Sequence, residues 1–403
     1  MRPRPTVASV FSITLAVALG LSACSVFGSD TQSSEPTAAG SQAPSFDPGE
    51  ADSDSSAARA VDPGWDSPAQ EANGTFLSMH ENDGSLEYRA VDSTGKVLWT
   101  AQRPRACSAY LVTTTGDGPI AVLMDQGASS GGSLTTTASG YDLTTGEKRW
   151  GPVGTPGPLL GNGLVFAGPP KDFIGVGGPR TALDPSTGDV AAVEVENESS
   201  QVIAVFGKHL VRSQGGNIVG EDLDGHRLWA QPSENFGMSA SEVREIPWEP
   251  TGESHALVGD AGSETRTLID LRSGATVDSE IADAWFDSST DTLVTVGSRL
   301  HGFYSDGTER WSTPLPAHAE VSAVGAGLIT FDSESGSESE SQRESDRVEQ
   351  SVTARSARDG SPVKKDTPLL KATKQLGAPH HISESGAALI GDPQTPLLIT
   401  SQR

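Results

Sequence analysis

Asp142-Leu143-Thr144-Thr145-Gly146-Glu147-Lys148-Arg149-Trp150 is the stretch whose reading decides the fold, because it recurs along the chain. Upstream it reads Asp92-Ser93-Thr94-Gly95-Lys96-Val97-Leu98-Trp99. Downstream follow Asp184-Pro185-Ser186-Thr187-Gly188, Asp222-Leu223-Asp224-Gly225-His226-Arg227-Leu228-Trp229 and Asp270-Leu271-Arg272-Ser273-Gly274. Tyr304-Ser305-Asp306-Gly307-Thr308-Glu309-Arg310-Trp311 and the weaker Ala357-Arg358-Asp359-Gly360-Ser361-Pro362-Val363 bring the copies to seven. Each lies between two strand-like runs and reads as a tight turn. Asp or Ser accepts a hydrogen bond from a backbone N–H two residues on, and Gly supplies the positive φ that a short hairpin loop demands. In four copies a Trp follows on a fixed face of the outgoing strand. A recurring ring of that size needs a partner surface, and the adjacent copy is the expected one.

The seven glycines recur about every 44 residues, the step of a four-stranded propeller blade. Helical repeats of that length need long stretches of 3.6-residue periodicity, and the chain has none. Between the turns lie runs such as Leu86-Glu87-Tyr88-Arg89-Ala90-Val91, Val202-Ile203-Ala204-Val205-Phe206 and Thr292-Leu293-Val294-Thr295-Val296. β-Branched residues bounded by Gly and Asp fit strands. The expectation is an all-β chain, a β-propeller of four-stranded antiparallel blades. Seven blades are favoured because seven turns are counted, with eight as the alternative. Ala387-Ala388-Leu389-Ile390 and Pro396-Leu397-Leu398-Ile399 are expected to pair with strands around 75–91, closing the ring and removing its free edges.

Thr181-Ala182-Leu183-Asp184 and Gly140-Tyr141-Asp142-Leu143, with the Thr-Gly and Trp that follow in the repeat, resemble the PQQ-like β-propeller repeat, a relative of WD-type propellers. The resemblance covers about residues 70–400. It implies the architecture and leaves the activity open, because the family holds both quinone-dependent dehydrogenases and non-enzymatic lipoproteins. The dehydrogenases use an adjacent Cys pair and a calcium-binding carboxylate set. This chain has two Cys, Cys24 and Cys107, far apart, and no carboxylate cluster that aligns with that set.

Arg2 and Arg4 precede an apolar run from Val7 to Leu19, too short for a membrane span and read as a signal segment. It ends in Leu21-Ser22-Ala23-Cys24, which looks like a bacterial lipobox. That resemblance implies a lipoprotein signal peptide over 1–23 and acylation (diacylglyceryl, palmitate-type chains) at Cys24. Two or more acyl chains provide the stable anchoring that one chain does not. Residues 24–64, rich in Ser, Asp, Glu, Pro, Ala and Gly, bury too little apolar surface to offset their ordering entropy. They are expected to form a disordered tether, with the propeller over 65–403. A folded region of that size exceeds a single core, a limit a propeller avoids by packing blade on blade.

No assembled catalytic motif emerges. Gly127-Ala128-Ser129-Ser130-Gly131 has the spacing of a nucleophile elbow, but the residues after it read as a strand where a helix is required. Gly175-Val176-Gly177-Gly178-Pro179 is also followed by a strand, which weakens a phosphate-cradling reading. His380-His381 is the one His pair, and neighbours on a strand point to opposite faces. Cys107 reads as a small buried hydrophobe. The acidic run Asp332–Glu340 reads as an inter-strand loop, since its Ser-Glu alternation lacks a calcium-loop frame. Asn235–Pro250 is an enlarged region whose Met238 and Trp248 serve either local packing or a partner.

The formal net charge of −25 disfavours nucleic-acid binding and electrostatic adhesion to an anionic bilayer. The expected protein is therefore a monomer, lipid-anchored to the extracytoplasmic side of the cell membrane. Its propeller is expected to be a non-enzymatic scaffold for an envelope protein or a ligand, with no cofactor and no metal. The alternatives are a quinoprotein-type dehydrogenase or other channel enzyme, and a small-ligand sensor. The Ala/Gly/Asp-rich, Lys-poor composition points to an actinobacterial source.

Overall fold

The computed structural model describes residues 33–46, 59–128, 134–169, 178–195, 200–239, 242–316, 319–333, 352–363 and 367–400. Its strands form eight antiparallel sheets, each a blade. Blade 1 has strands Gln70–Ala72, Thr75–Asn82, Ser85–Asp92 and Val97–Pro104. Blade 2 runs through Tyr110–Thr115, Gly118–Ala128, Leu134–Asp142 and Lys148–Thr155. Blade 4 begins at Ser200–Phe206, blade 5 at Trp248–Pro250, and blade 6 at Asp283–Asp287. Each has four strands in sequential order. Blade 3 (Val165–Ala167, Arg180–Leu183, Val190–Val193) is completed by a bridge from Leu159 to Phe166. Blade 7 (Ala319–Gly325, Leu328–Ser333, Thr353–Ser356) is completed by a bridge from Arg355 to Pro362. First strands of successive blades pack together around the axis. Blade 4's is buried from Val202 to Phe206.

Every repeated Gly turn joins the third strand of a blade to the fourth. Seven such turns are present, yet the blades number eight, so the favoured seven is corrected. Blade 8 has strands Pro379–Ile382, Ala388–Ile390 and Leu397–Ile399, and its fourth is Ala60–Val61 from the other end of the chain. Its third and fourth strands are therefore not joined by a turn. Counting turns undercounts the blades by the one that closes the ring.

The closure expected from strands around 75–91 is corrected too. Those residues lie inside blade 1, and Ala60 pairs with Ile399 and Val61 with Leu398. Val61 is fully buried with Phe76, Leu389 and Leu398. The stretch read as a tether is in part structured. Thr37–Ala38 adds a fifth strand to blade 1, opposite Thr100 and Trp99, and Ala43 is buried. Hydrogen bonds to an unpaired strand edge hold this segment where its own apolar surface does not. Residues 24–32 and 47–58 lie outside the described residues, as do the signal segment and most of the acidic run.

The Trp expectation is met in detail. Trp99 Nε1 donates to Leu143 O (2.8 Å), Trp150 to Pro185 O (2.8 Å), Trp229 to Leu271 O (2.7 Å) and Trp311 to Ala357 O (3.0 Å). Each acceptor sits in the turn of the next blade, one residue after the position of the leading Asp. The ring also covers that turn's glycine. A Cβ on Gly188 would lie 2.5 Å from the Trp150 ring, and one on Gly274 2.5 Å from the Trp229 ring. Both glycines also have φ near +70°, so no other residue fits without strain.

The turns come in two lengths. In blades 2, 3, 5 and 7 the glycine N–H reaches back four residues, as from Gly146 to Asp142 O (2.9 Å). In blades 1, 4 and 6 it reaches back three, as from Gly95 to Asp92 O (2.9 Å). The longer turn occurs wherever the preceding blade supplies a Trp. In blades 2, 5 and 7 its second residue continues the strand ladder, as when Leu143 N donates to Pro119 O, and leaves its own carbonyl for the indole; in blade 3 that residue is Pro185, which has no N–H to donate.

Candidate binding face

In a ring of four-stranded antiparallel blades, the first-to-second and third-to-fourth connections share one face, and the others share the opposite face. On the first, the turn face, no connection exceeds six residues. The second, the loop face, holds the connections 168–179, 233–247, 334–352 and 364–378. The long connections are thus segregated on one side of a rigid ring, the arrangement in which scaffolds carry binding loops.

Two of these connections are built into the fold. In 233–247, Phe236, Met238 and Val243 pack with Trp229 and with Trp248 at the start of the next strand. Trp248 is 1% exposed, so Met238 and Trp248 serve local packing. In 364–378, the helix Pro368–Leu376 is capped by Thr367 Oγ1, which accepts from Leu370 N at 3.2 Å. It buries Leu369 and Ala372 against blade 8.

Buried arginines brace the inner part of the loop face. Arg180, first in its strand of blade 3, donates to Val202 O in blade 4 (3.1 Å) and to Arg244 O (3.0 Å). Glu194 accepts from Arg180 N (3.0 Å) and Val202 N (2.8 Å), and pairs with Arg244 at 3.3 Å. Arg266 holds the corresponding place in blade 5. Its side chain is 3% exposed, 2.5 Å from Glu249 and 3.8 Å from Asp283 on the inner strands of blades 5 and 6. Both carboxylates keep nearly half their side-chain surface, 43% and 46%. Burial of its carboxyl still lifts Asp283 to about 6.

At the turn face the axis narrows. A Cβ on Gly207 of blade 4 would lie 3.6 Å from Glu253 O of blade 5 and 3.9 Å from Thr114 O of blade 2. Ser288 of blade 6 donates to Glu384 of blade 8 at 3.1 Å, across blade 7. Between blades 4 and 5 on this side, His209 and His255 are 3% and 2% exposed. Neither ring nitrogen of His209, nor Nε2 of His255, has a hydrogen-bond partner. Burial pushes His209 below its ordinary value and His255 to about 4, so both rings are neutral.

The residues singled out from sequence are dispersed. His381 pairs with Glu71 of blade 1 at 3.1 Å and stacks edge-on against Phe76, while Nδ1 of His380 is buried without a partner. The two side chains do not converge. Cys107 lies in the 3-10 helix Arg105–Cys107 between blades 1 and 2. Ser129 to Gly131 lie outside the described residues, and the strand Leu134–Asp142 follows them, so the helix of a nucleophile elbow is missing. Gly175 to Gly177 and Cys24 also lie outside.

Among the described residues one group of three metal-ligating side chains forms, Asp222, Asp224 and His226. It sits in a rim turn of blade 4, and Asp222 already holds that turn through His226 N (2.8 Å) and His226 Nδ1 (3.0 Å). The two Cys of the chain, Cys24 and Cys107, are not adjacent, so the Cys pair of the quinone-dependent dehydrogenases is not present. No described helix is long and apolar enough to cross a membrane.

No family model and no curated protein matches the chain. Among solved structures, the β-propeller domain of Cps50 (Swd1) from Myceliophteria thermophila is similar at 11% identity and a TM-score of 0.39, over 85% of this chain and 98% of that one. Apo AztD from Citrobacter koseri is similar at 9% identity and a TM-score of 0.36, over 74% and 85%. Likeness at this level concerns fold alone.

Proposed function

We propose that this chain is an extracytoplasmic lipoprotein, anchored through acylated Cys24, whose propeller binds an envelope protein or a ligand on its loop face without catalysis. The observation that carries this reading is the segregation of every long connection onto one face of a ring locked by tryptophans. A rigid platform with one variable face suits recognition. The buried arginines of that face are tied to backbone carbonyls and carboxylates, which suits bracing more than chemistry. Photo-cross-linkers placed on loop-face connections and on turn-face connections in intact cells test it. The expected result is one partner captured from the loop face. Capture from the turn face alone, or substrate turnover by the purified domain, removes the reading. Labelling with a radioactive fatty acid should be lost in Cys24→Ala.

A second reading, a channel enzyme or small-ligand sensor, draws on Glu249 and Asp283 flanking Arg266 where the inner strands begin. Absorbance and turnover after incubation with quinone and calcium, or ligand binding lost in Glu249→Gln, would favour it.

A further inference from the structure

We propose that residues 33–46 determine which part of the propeller meets the bilayer, namely the loop-end rim shared by blades 1 and 2. This rests on the anchoring of Cys24. The segment runs antiparallel to blade 1's outermost strand. Ser34 N donates to Gln102 O at the loop end, and Gln42 bridges Lys96 at the turn end. Ser33 therefore lies at the loop end of the disc.

Polar contacts pin that end. Ser33 Oγ donates to Asp125 at 2.6 Å, and Lys148 Nζ to Glu35 at 2.8 Å. Arg103, 2% exposed, donates to Ser34 O (2.5 Å) and to the Tyr141 hydroxyl (3.0 Å). Releasing the segment strips a buried guanidinium of an acceptor, which opposes detachment.

Nine residue steps separate Cys24 from Ser33. At about 3.3–3.6 Å per residue they reach roughly 30 Å at most, whereas a free tether to Trp65 would reach on the order of 140 Å. At the coil dimension of roughly 5–6 Å × √n the nine steps span about 17 Å, less than the length of a blade strand, so the rim stays nearer the headgroups than the turn end does. The turn face lies farther away by about one blade strand, roughly 26 Å for eight residues. The rim's partner is the lipid surface itself, reached through covalent acyl chains and not through charge, given the net −25.

The test uses the acylated full chain with Cys107→Ser, in phosphatidylcholine vesicles carrying a headgroup-linked fluorescence acceptor. A donor is attached at Asn82→Cys, on the loop end of blade 1, or at Lys96→Cys, on its turn end opposite Gln42. Both positions are exposed. Transfer is expected to be several-fold stronger from position 82, and a Gly/Ser insertion of about twenty residues after Gly28 should erase the difference. Equal transfer from both positions in protein that floats with the vesicles overturns the proposal and leaves anchoring intact. A difference that survives the insertion also overturns it. Protein that neither floats nor carries an acyl chain on Cys24 removes the anchoring and the proposal together.

Discussion

The turn face and the loop face are two ends of the same sheets, yet they are built on different terms. On the turn face each connection is short, and the third-to-fourth turns are held by a carboxylate, a glycine and, at four blade junctions, an indole from the neighbouring blade. On the loop face, connection length varies widely from blade to blade, and the described residues of the long connections are braced by buried arginines or a capped helix. One face fixes the ring and the other is free to differ. The lesson is that connection length is fixed on one side and free on the other, so lengthening a loop-face connection costs little.

The largest expected break of that contrast is Trp229→Ala. It removes a ring that packs with Phe236, Trp248 and Leu271, and should cost about 3–5 kcal/mol, read as a lowered midpoint in chemical unfolding. Gly274→Val should approach it, because its side chain must enter the space of the same ring.

The next effect is a pH dependence carried by desolvated histidines, His209 and His255 on the turn face and His380 in blade 8. Burial holds His255 at about 4 in the fold, while an unfolded His titrates near 6.5. The unfolded chain therefore binds more protons between these values. Stability is fully present above about 6.5 and falls as pH drops toward 4, by about 3 kcal/mol for this group. His209 adds in the same direction. Asp283 on the loop face works oppositely, since its carboxyl is raised to about 6. Its contribution is small because the side chain is nearly half exposed. Unfolding midpoints from pH 7 to 4 should fall for the native protein and fall less for His255→Leu.

Deleting residues 25–46 should cost about 2 kcal/mol, by removing Ser34 O from buried Arg103 and baring the outer edge of blade 1. A matched Arg103→Met variant should make the deletion cheaper, which a double-mutant cycle would detect. The smallest effect is expected on the loop face. Ten Gly/Ser residues inserted between Glu340 and Ser341 should change stability by less than about 1 kcal/mol. The same insertion between Arg272 and Ser273 should displace the turn that receives Trp229 and unfold the junction of blades 4 and 5.

Much of this was legible in the chain. The Asp and Gly turns, the strand runs that flank them and the need of each Trp for the adjacent copy follow from local chemistry repeated at a steady step. The blade count was not, because blade 8 has no turn to count: its third strand, Leu397–Ile399, and its fourth, Ala60–Val61, come from opposite ends. The course of residues 33–46 was equally hidden. Thr37 and Ala38 are exposed, and the segment is held by backbone pairing to blade 1, an interaction that writes no apolar period into the sequence. Nothing in the sequence marks His209 and His255 as buried, because burial there comes from the packing of neighbouring blades. Asn235–Pro250 lay between two readings until burial of Met238 and Trp248 assigned it to packing.

Sequence by itself determined the repeating unit, the all-β blade and the strong negative charge, since each depends on residues close together in the chain or on a sum over it. Tertiary structure alone decided the eighth blade, the seat of the N-terminal segment, the narrowed axis and the gathering of long connections on one side. Those features depend on pairings between distant residues, such as Val61 with Leu398. The free energy of such pairings comes from burial and hydrogen bonding that exist only once the ring has closed.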